Sequence, residues 1–136
     1  MTTEQAIAKL NEYEAAAYAL RYTTSVLFLD GATAAPKASY TGRGKAVGYL
    51  SELSYKQTVN EEIVEALETL MGDKEHLDEI TYRRAEVLKE RYDNMHVMPM
   101  EEYTAYEELV NEASAVWHEA KEKSDYAMFA PYLEKM

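Results

Sequence analysis

Residues 99–123 read PMEEYTAYEELVNEASAVWHEAKEK. Tyr103, Tyr106, Val110, Ala113, Trp117 and Ala120 recur at alternating steps of three and four. That spacing keeps six apolar or aromatic positions on one helical face. Pro99 suits the opening turn because its φ is already fixed near the helical value. Glu101 and Glu102 stand early, and Lys121 and Lys123 late, as the helix macrodipole favours. The stretch predicts one long helix from Pro99 to about Lys123.

A second long helix is predicted at the N-terminus, from Thr3 to Leu29. Thr2 and Gln5 form a capping-box pair, each side chain able to satisfy the other's backbone N–H. Leu10, Tyr13, Ala17, Leu20, Thr24 and Leu27 repeat the three-four spacing. Asp30-Gly31 is expected to end this helix, with Gly31 in the left-handed conformation. Gly31 to Gly42 then reads as a twelve-residue connection containing Pro36, long enough to suggest function. Between these landmarks lie shorter helices. One runs from Thr41 to Thr58 and carries Gly44 and Gly48, whose spacing suggests either close backbone approach or a weak helix start. Asn60 caps another that ends at Met71-Gly72, and a further one spans Leu77 to Tyr92. Beyond Lys123, Ser124-Asp125 starts one more turn, and Pro131 is expected to start a last helix. An apolar residue then ends the chain without a cap, which suggests a piece of something longer.

No alternating apolar–polar run and no Asn-Gly turn predicts a strand. The predicted fold class is all-α, an elongated helical bundle or array with two long helices and several shorter ones. The 136 residues suffice for one segment, 1–136, which can bury roughly two-thirds of its unfolded surface. Tyrosine supplies 12 of the 15 aromatic residues, and its polar tip suits partly buried rims.

Charge narrows the function. With 25 acids against 14 bases the net charge is −11, and the only local basic cluster is Arg43 with Lys45. Nucleic-acid binding needs clustered cations to displace counterions, so it is not expected. Anionic membrane surfaces are disfavoured for the same reason. The absence of cysteine excludes disulfides, thiolate metal sites and a cysteine nucleophile. No basic segment precedes an apolar run at the start, and Val26–Leu29 is far too short to span a bilayer. A soluble, cytoplasmic protein is expected.

No catalytic constellation stands out. His118 and Glu122, four apart, could present two ligands on one helix face, but a zincin needs His at both positions. Asp73 with His76, and Asp93 with His96, echo the Glu-x-x-His pairs of di-iron bundles, though at predicted helix ends. Solvated helix surface and turns account for all three. No nucleophile elbow and no phosphate-binding glycine loop is present. Catalytic, metal and cofactor residues are therefore predicted to be none in this chain.

Three stretches together carry a resemblance. The first is Leu29-Asp30-Gly31-Ala32-Thr33-Ala34-Ala35-Pro36 followed by Gly42-Arg43-Gly44. The second is Ile80 to Pro99, a charged helix leading to a Pro-initiated one. The third runs from Glu112-Ala113 through Trp117 to Ser124-Asp125-Tyr126-Ala127-Met128-Phe129-Ala130-Pro131-Tyr132-Leu133-Glu134-Lys135. The chain resembles the start of carboxypeptidase Taq family enzymes. In place of that family's frequent Trp it carries Leu29, and Ala34-Ala35-Pro36 replaces a Met-Pro type sequence. Ser124 and Tyr126 replace Asn and Phe. The oligoendopeptidases are a more distant relative of similar helical architecture.

The resemblance implies a helical metallocarboxypeptidase that removes C-terminal residues from peptides, with zinc or another divalent metal, cytoplasmic and commonly homodimeric. The family's His-Glu-x-x-His motif and third Glu ligand lie beyond the matched region, so no ligand or base is carried over. Asp30, Pro36, Arg43, Trp117, Asp125, Phe129, Pro131, Tyr132 and Leu133 are family-signature residues with structural roles. The segment would form the wall or roof of a substrate groove. Its partners would be the missing catalytic portion and, through an exposed apolar face, other copies. The alternatives are a stand-alone helical interaction or dimerisation module, a segment of an oligoendopeptidase-like metallopeptidase, and a small metalloenzyme using His118, Glu122 or the Asp-x-x-His pairs. Asp30 and Arg43 are expected to serve the loop as cap or ion pair. Trp117 and Phe129 are expected to be buried, anchoring the helix at Pro131.

Overall fold

A computed structural model describes residues 1–136, and every regular element in it is helical. The elements are α1 (Thr3–Thr33), a 3₁₀ turn (Lys37–Ser39), α2 (Tyr40–Thr58), α3 (Glu61–Gly72), a second 3₁₀ turn (Lys74–His76), α4 (Glu79–Met95), α5 (Met100–Lys123) and α6 (Tyr126–Lys135). The all-α expectation holds, and α1 and α5 are the two long helices. No helix is long and apolar enough to cross a membrane. The chain divides into two compact units, Met1–Thr23 with Leu53–Pro99, and Thr24–Glu52 with Met100–Met136.

The first unit contains the large buried side chains. Ala6, Leu10 and Tyr13 from α1 pack with Ile63, Ala66, Leu67 and Leu70 from α3 and with Ala85 and Leu88 from α4. Leu10, Leu67 and Leu70 are fully buried, each contributing on the order of 1.5–3 kcal/mol. Most polar groups inside are matched. Tyr13 Oη and Thr58 Oγ1 lie 3.1 Å apart, and the Thr58 hydroxyl also donates to the Ser54 carbonyl at 3.0 Å. The Gln57 amide is half used: its Nε2 donates to the Tyr13 carbonyl at 3.2 Å, while Oε1 is buried without a partner. At the rim, Arg84 donates through Nε and Nη2 to Glu14 and reaches Asn11 Oδ1 at 2.6 Å.

Local capping sets the boundaries of this unit. Gln5 N–H donates to Thr2 Oγ1 at 3.2 Å and Thr2 N–H to Gln5 Oε1 at 2.9 Å, the reciprocal box expected from the sequence. Asn60 caps α3 by accepting from the Ile63 N–H at 3.0 Å. Helix α4 starts after Asp78, not at Leu77. Asp78 accepts from the Thr81 N–H at 3.0 Å and from its hydroxyl at 2.6 Å, which fixes the first turn. Those bonds, the Thr81 hydroxyl first, hold the Asp78 carboxyl below its ordinary pKa.

The second unit is built differently. Its buried residues are small or few: Val47 and Gly48 on α2, and Ala113 and Ala120 on α5. Large apolar side chains stay outside, among them Val26, Phe28, Leu29, Tyr49, Tyr106, Tyr126 and Leu133. Helices α5 and α6 pack together across a tight turn. Ser124 adopts φ 54°, and the bonds Ser124 N–H to Lys121 O and Asp125 N–H to Ala120 O close the end of α5. This is a Schellman arrangement with serine where glycine is usual.

Several boundary expectations in this unit are overturned. Gly31 does not end α1, which continues to Thr33, and no glycine has a positive φ. The twelve-residue connection shrinks to Ala34–Pro36 and a 3₁₀ turn, in which the Ser39 N–H and hydroxyl both donate to the Pro36 carbonyl. Gly44 and Gly48 mark no backbone approach. A Cβ at Gly44 would meet nothing within 4 Å, and one at Gly48 only Glu108 Oε1 at 4.0 Å. Pro131 lies inside α6 and does not begin it, because Asp125 already caps the helix by accepting from the Ala127 N–H at 3.1 Å.

Candidate functional site

Within the second unit, α1, α2 and α5 enclose a cleft of about 110 Å³. Its apolar wall is Leu27, Phe28, Val47 and Ala115. Its polar groups come from Tyr40, Arg43, Asn111, Ser114 and His118. Helical spacing explains the grouping: Asn111, Ser114 and His118 stand three and four apart, so they share one stripe of α5. Gly31 and Gly44 supply the room on α1 and α2.

Arg43 is the only lysine or arginine lining the cleft. Its guanidinium lies directly against Gly31, where an added Cβ would stand 2.6 Å from Cζ. It sits over the Tyr40 ring, 4.7 Å from the centroid, and Nη1 donates to Ser39 Oγ at 3.3 Å. No carboxylate pairs with it. Gly31 thus serves a close approach and not a turn; a Cβ there would push the guanidinium aside. The same contact puts a positive charge beside the last turn of α1, which has no basic residue of its own.

The other signature residues are dispersed. Asp30 makes no ion pair with Arg43; its backbone carbonyl instead accepts from Ala34 and Ala35. Pro36 is exposed and directs the 3₁₀ turn. Trp117 is 41% exposed, contrary to the expectation of burial, and Phe129 is only half-buried. The face of α5 that packs is the narrow one of Ala113 and Ala120, which leaves Trp117 outside with the Lys121 ammonium 5.0 Å from its ring centroid. Asp125 is the α6 cap, Tyr132 is half-buried, and Pro131 and Leu133 are exposed. Tyr40, Gly44, Asn111 and Ser114 were not singled out as cleft residues from sequence; the polar three-four stripe ending at His118 could have pointed to Asn111 and Ser114 alone.

Of the candidate metal pairs, only Asp73 and His76 are in contact, and no third ligand joins them. Glu122 is engaged by Lys37 at 2.9 Å, which raises the lysine pKa, first through the hydrogen bond and then through the charge. His118 instead lines the cleft and meets the Trp117 ring edge-on at 4.8 Å. His76 Nδ1 sits 2.6 Å from Asp73, whose other oxygen accepts from the Thr3 hydroxyl, and His96 stacks on Tyr92. No three His, Asp or Glu side chains converge on one point.

The fold class is all-helical, with one described cleft in the second unit. Comparison with known proteins supplies the lineage. A family model described as carboxypeptidase Taq metallopeptidase matches residues 9–136, and the chain belongs to that family. Among curated relatives, carboxypeptidase 1 of Bacillus subtilis is 31% identical over 112 residues, 82% of this chain and 22% of that protein. Thermostable carboxypeptidase 1 of Pyrococcus furiosus is 30% identical over 135 residues, 99% of this chain and 26% of that protein. Thermostable carboxypeptidase 1 of Thermus thermophilus is 25% identical over 138 residues, 100% of this chain and 27% of that protein. The chain thus spans about a quarter of the length of the relatives it matches. No solved structure matches it.

Proposed function

We propose that residues 1–136 are an N-terminal helical segment of a zinc metallocarboxypeptidase that removes C-terminal residues from peptides. The segment forms part of the wall or roof of the substrate groove. Metal, general base and substrate-carboxylate contacts belong to the remaining catalytic portion, and the 136 residues alone do not hydrolyse peptides. The reading also carries a cytoplasmic location and a dimeric parent. The observation that supports it most is the match over residues 9–136 to a metallopeptidase family whose curated members are about four times longer. Exposed apolar residues of the second unit add support. Phe28, Leu29, Tyr49, Tyr106, Trp117 and Leu133 give the catalytic portion, or failing that another copy of the chain, a surface to cover.

One observation favours a second reading, a stand-alone helical interaction module. The first unit has its own core and satisfied caps, as an independently folding module requires. Reading the coding sequence past Met136 separates the two. A downstream His-Glu-x-x-His motif is expected, whereas a stop codon directly after Met136 would replace the enzyme segment with the module.

A further inference from the structure

We propose that the cleft of the second unit binds a small carboxylate with an apolar tail, the carboxylate on Arg43 and the tail against Leu27, Phe28 and Val47. The inference stands on the cleft alone and does not rest on the peptidase reading. Three observations carry it. Arg43 is held but not neutralised. No carboxylate reaches the Arg43 head, which has the Tyr40 ring, the Gly31 backbone and one bond to Ser39; what sets it apart from other bases without an ion pair is its place in the cleft lining. A guanidinium has five N–H donors, so most of its hydrogen-bonding capacity is unspent. Second, no Asp or Glu lines the cleft, although acids make up 25 of the 136 residues. An anion therefore meets no carboxylate in the wall. Third, Leu27, Phe28 and Val47 give the cleft an apolar part, and a Cβ at Gly44, beside Arg43 in the chain, would meet nothing within 4 Å.

The chemistry selects a carboxylate over a phosphate. The planar fork of arginine matches the two oxygens of a carboxylate. A phosphate group carries more charge and more acceptors, and no second Lys or Arg lines the cleft to meet them. The Ser114 hydroxyl, and the second N–H of Asn111 Nδ2, whose first donates to the Glu107 carbonyl at 2.9 Å, can complete the hydrogen bonding of a single carboxylate from α5.

Isovalerate is the probe, with isoamyl alcohol as its uncharged match and inorganic phosphate as the competing anion. Titrations of the full chain are followed by NMR, reading the Arg43 Nε–H and the Gly31 and Gly44 amides. Saturable shifts are expected with isovalerate, with neither the alcohol nor phosphate reproducing them. Arg43→Gln should weaken binding by about tenfold or more, the loss expected for a charge-assisted pair. Should Arg43→Gln disturb folding, Gly31→Ala keeps the charge but displaces the guanidinium, and it should weaken binding similarly. Equal shifts with phosphate would overturn the carboxylate assignment. An unsaturable response, or wild-type affinity in a folded variant, would remove the site.

Discussion

At Trp117 the spacing of α5 and its packing part company. The residue falls on the periodic face, yet it is 41% exposed, while Ala113 and Ala120 on the same helix are buried. Periodicity identifies a face but not how wide a strip of it a neighbour covers, and here small residues take the contact. The consequence is measurable. Leu67→Ala, at a fully buried position, should cost about 2–5 kcal/mol. Trp117→Ala should cost under about 1 kcal/mol, since the residue is 41% exposed, with the Lys121 ammonium near its ring and the His118 ring edge-on to it. Urea midpoints of the two variants order the sites, and a Trp117 loss as large as that of Leu67 would contradict the exposed placement. Arg43 gives the opposite case. Its charge stood out in the sequence, but its seat on Gly31 joins residues twelve apart and belongs to the packing of α1 with α2.

Among the elements, capping was the most legible feature and helix ends the least. Thr2 with Gln5 and Asn60 behave as their side-chain chemistry requires. Asp30-Gly31 looked like a stop, but the carbonyl of Asp30 finds the Ala34 and Ala35 amides and the helix continues. A glycine tolerates the helical conformation as well as the left-handed one, so the dipeptide alone cannot decide. The true left-handed residue is Ser124, where a side chain bears the strain. Ser124→Gly should therefore stabilise the α5–α6 turn by about 0.5–1 kcal/mol, read as a rise in the midpoint of thermal unfolding. A fall would show that the serine makes a compensating contact. The caps also set an acid response. Asp73, held first by the Thr3 hydroxyl and then by His76, and Asp78 both have depressed pKa values. Their folded forms bind protons less readily than the unfolded chain, so their contribution is complete above about pH 4 and is lost as pH falls through the folded values. Urea midpoints between pH 7 and 3 should drop at the acid end. Asp78→Asn, which keeps a capping oxygen, should flatten that drop.

For the whole molecule, the two units differ in what holds them. The first has Leu10, Leu67 and Leu70 fully buried with Thr58 bonded among them; the second has Val47 and alanines, and large apolar groups in solvent. Local stability follows buried contacts. Hydrogen exchange should therefore show the amides of α3 and α4 protected well beyond those of α5 and α6, and uniform protection would count against the division. All-α class and the two long helices were legible because long three-four periodicity is a strong signal. The cleft was not, because it joins the neighbouring α1 and α2 to α5, which is distant from both in sequence.

Peptidase chemistry, in the function proposed above, lies outside these 136 residues. Elemental analysis after zinc dialysis, run with a carboxypeptidase assay on a short peptide, probes that directly. No stoichiometric zinc and no released C-terminal residue are expected. One zinc per chain with residue release, both lost in His118→Ala, would contradict it.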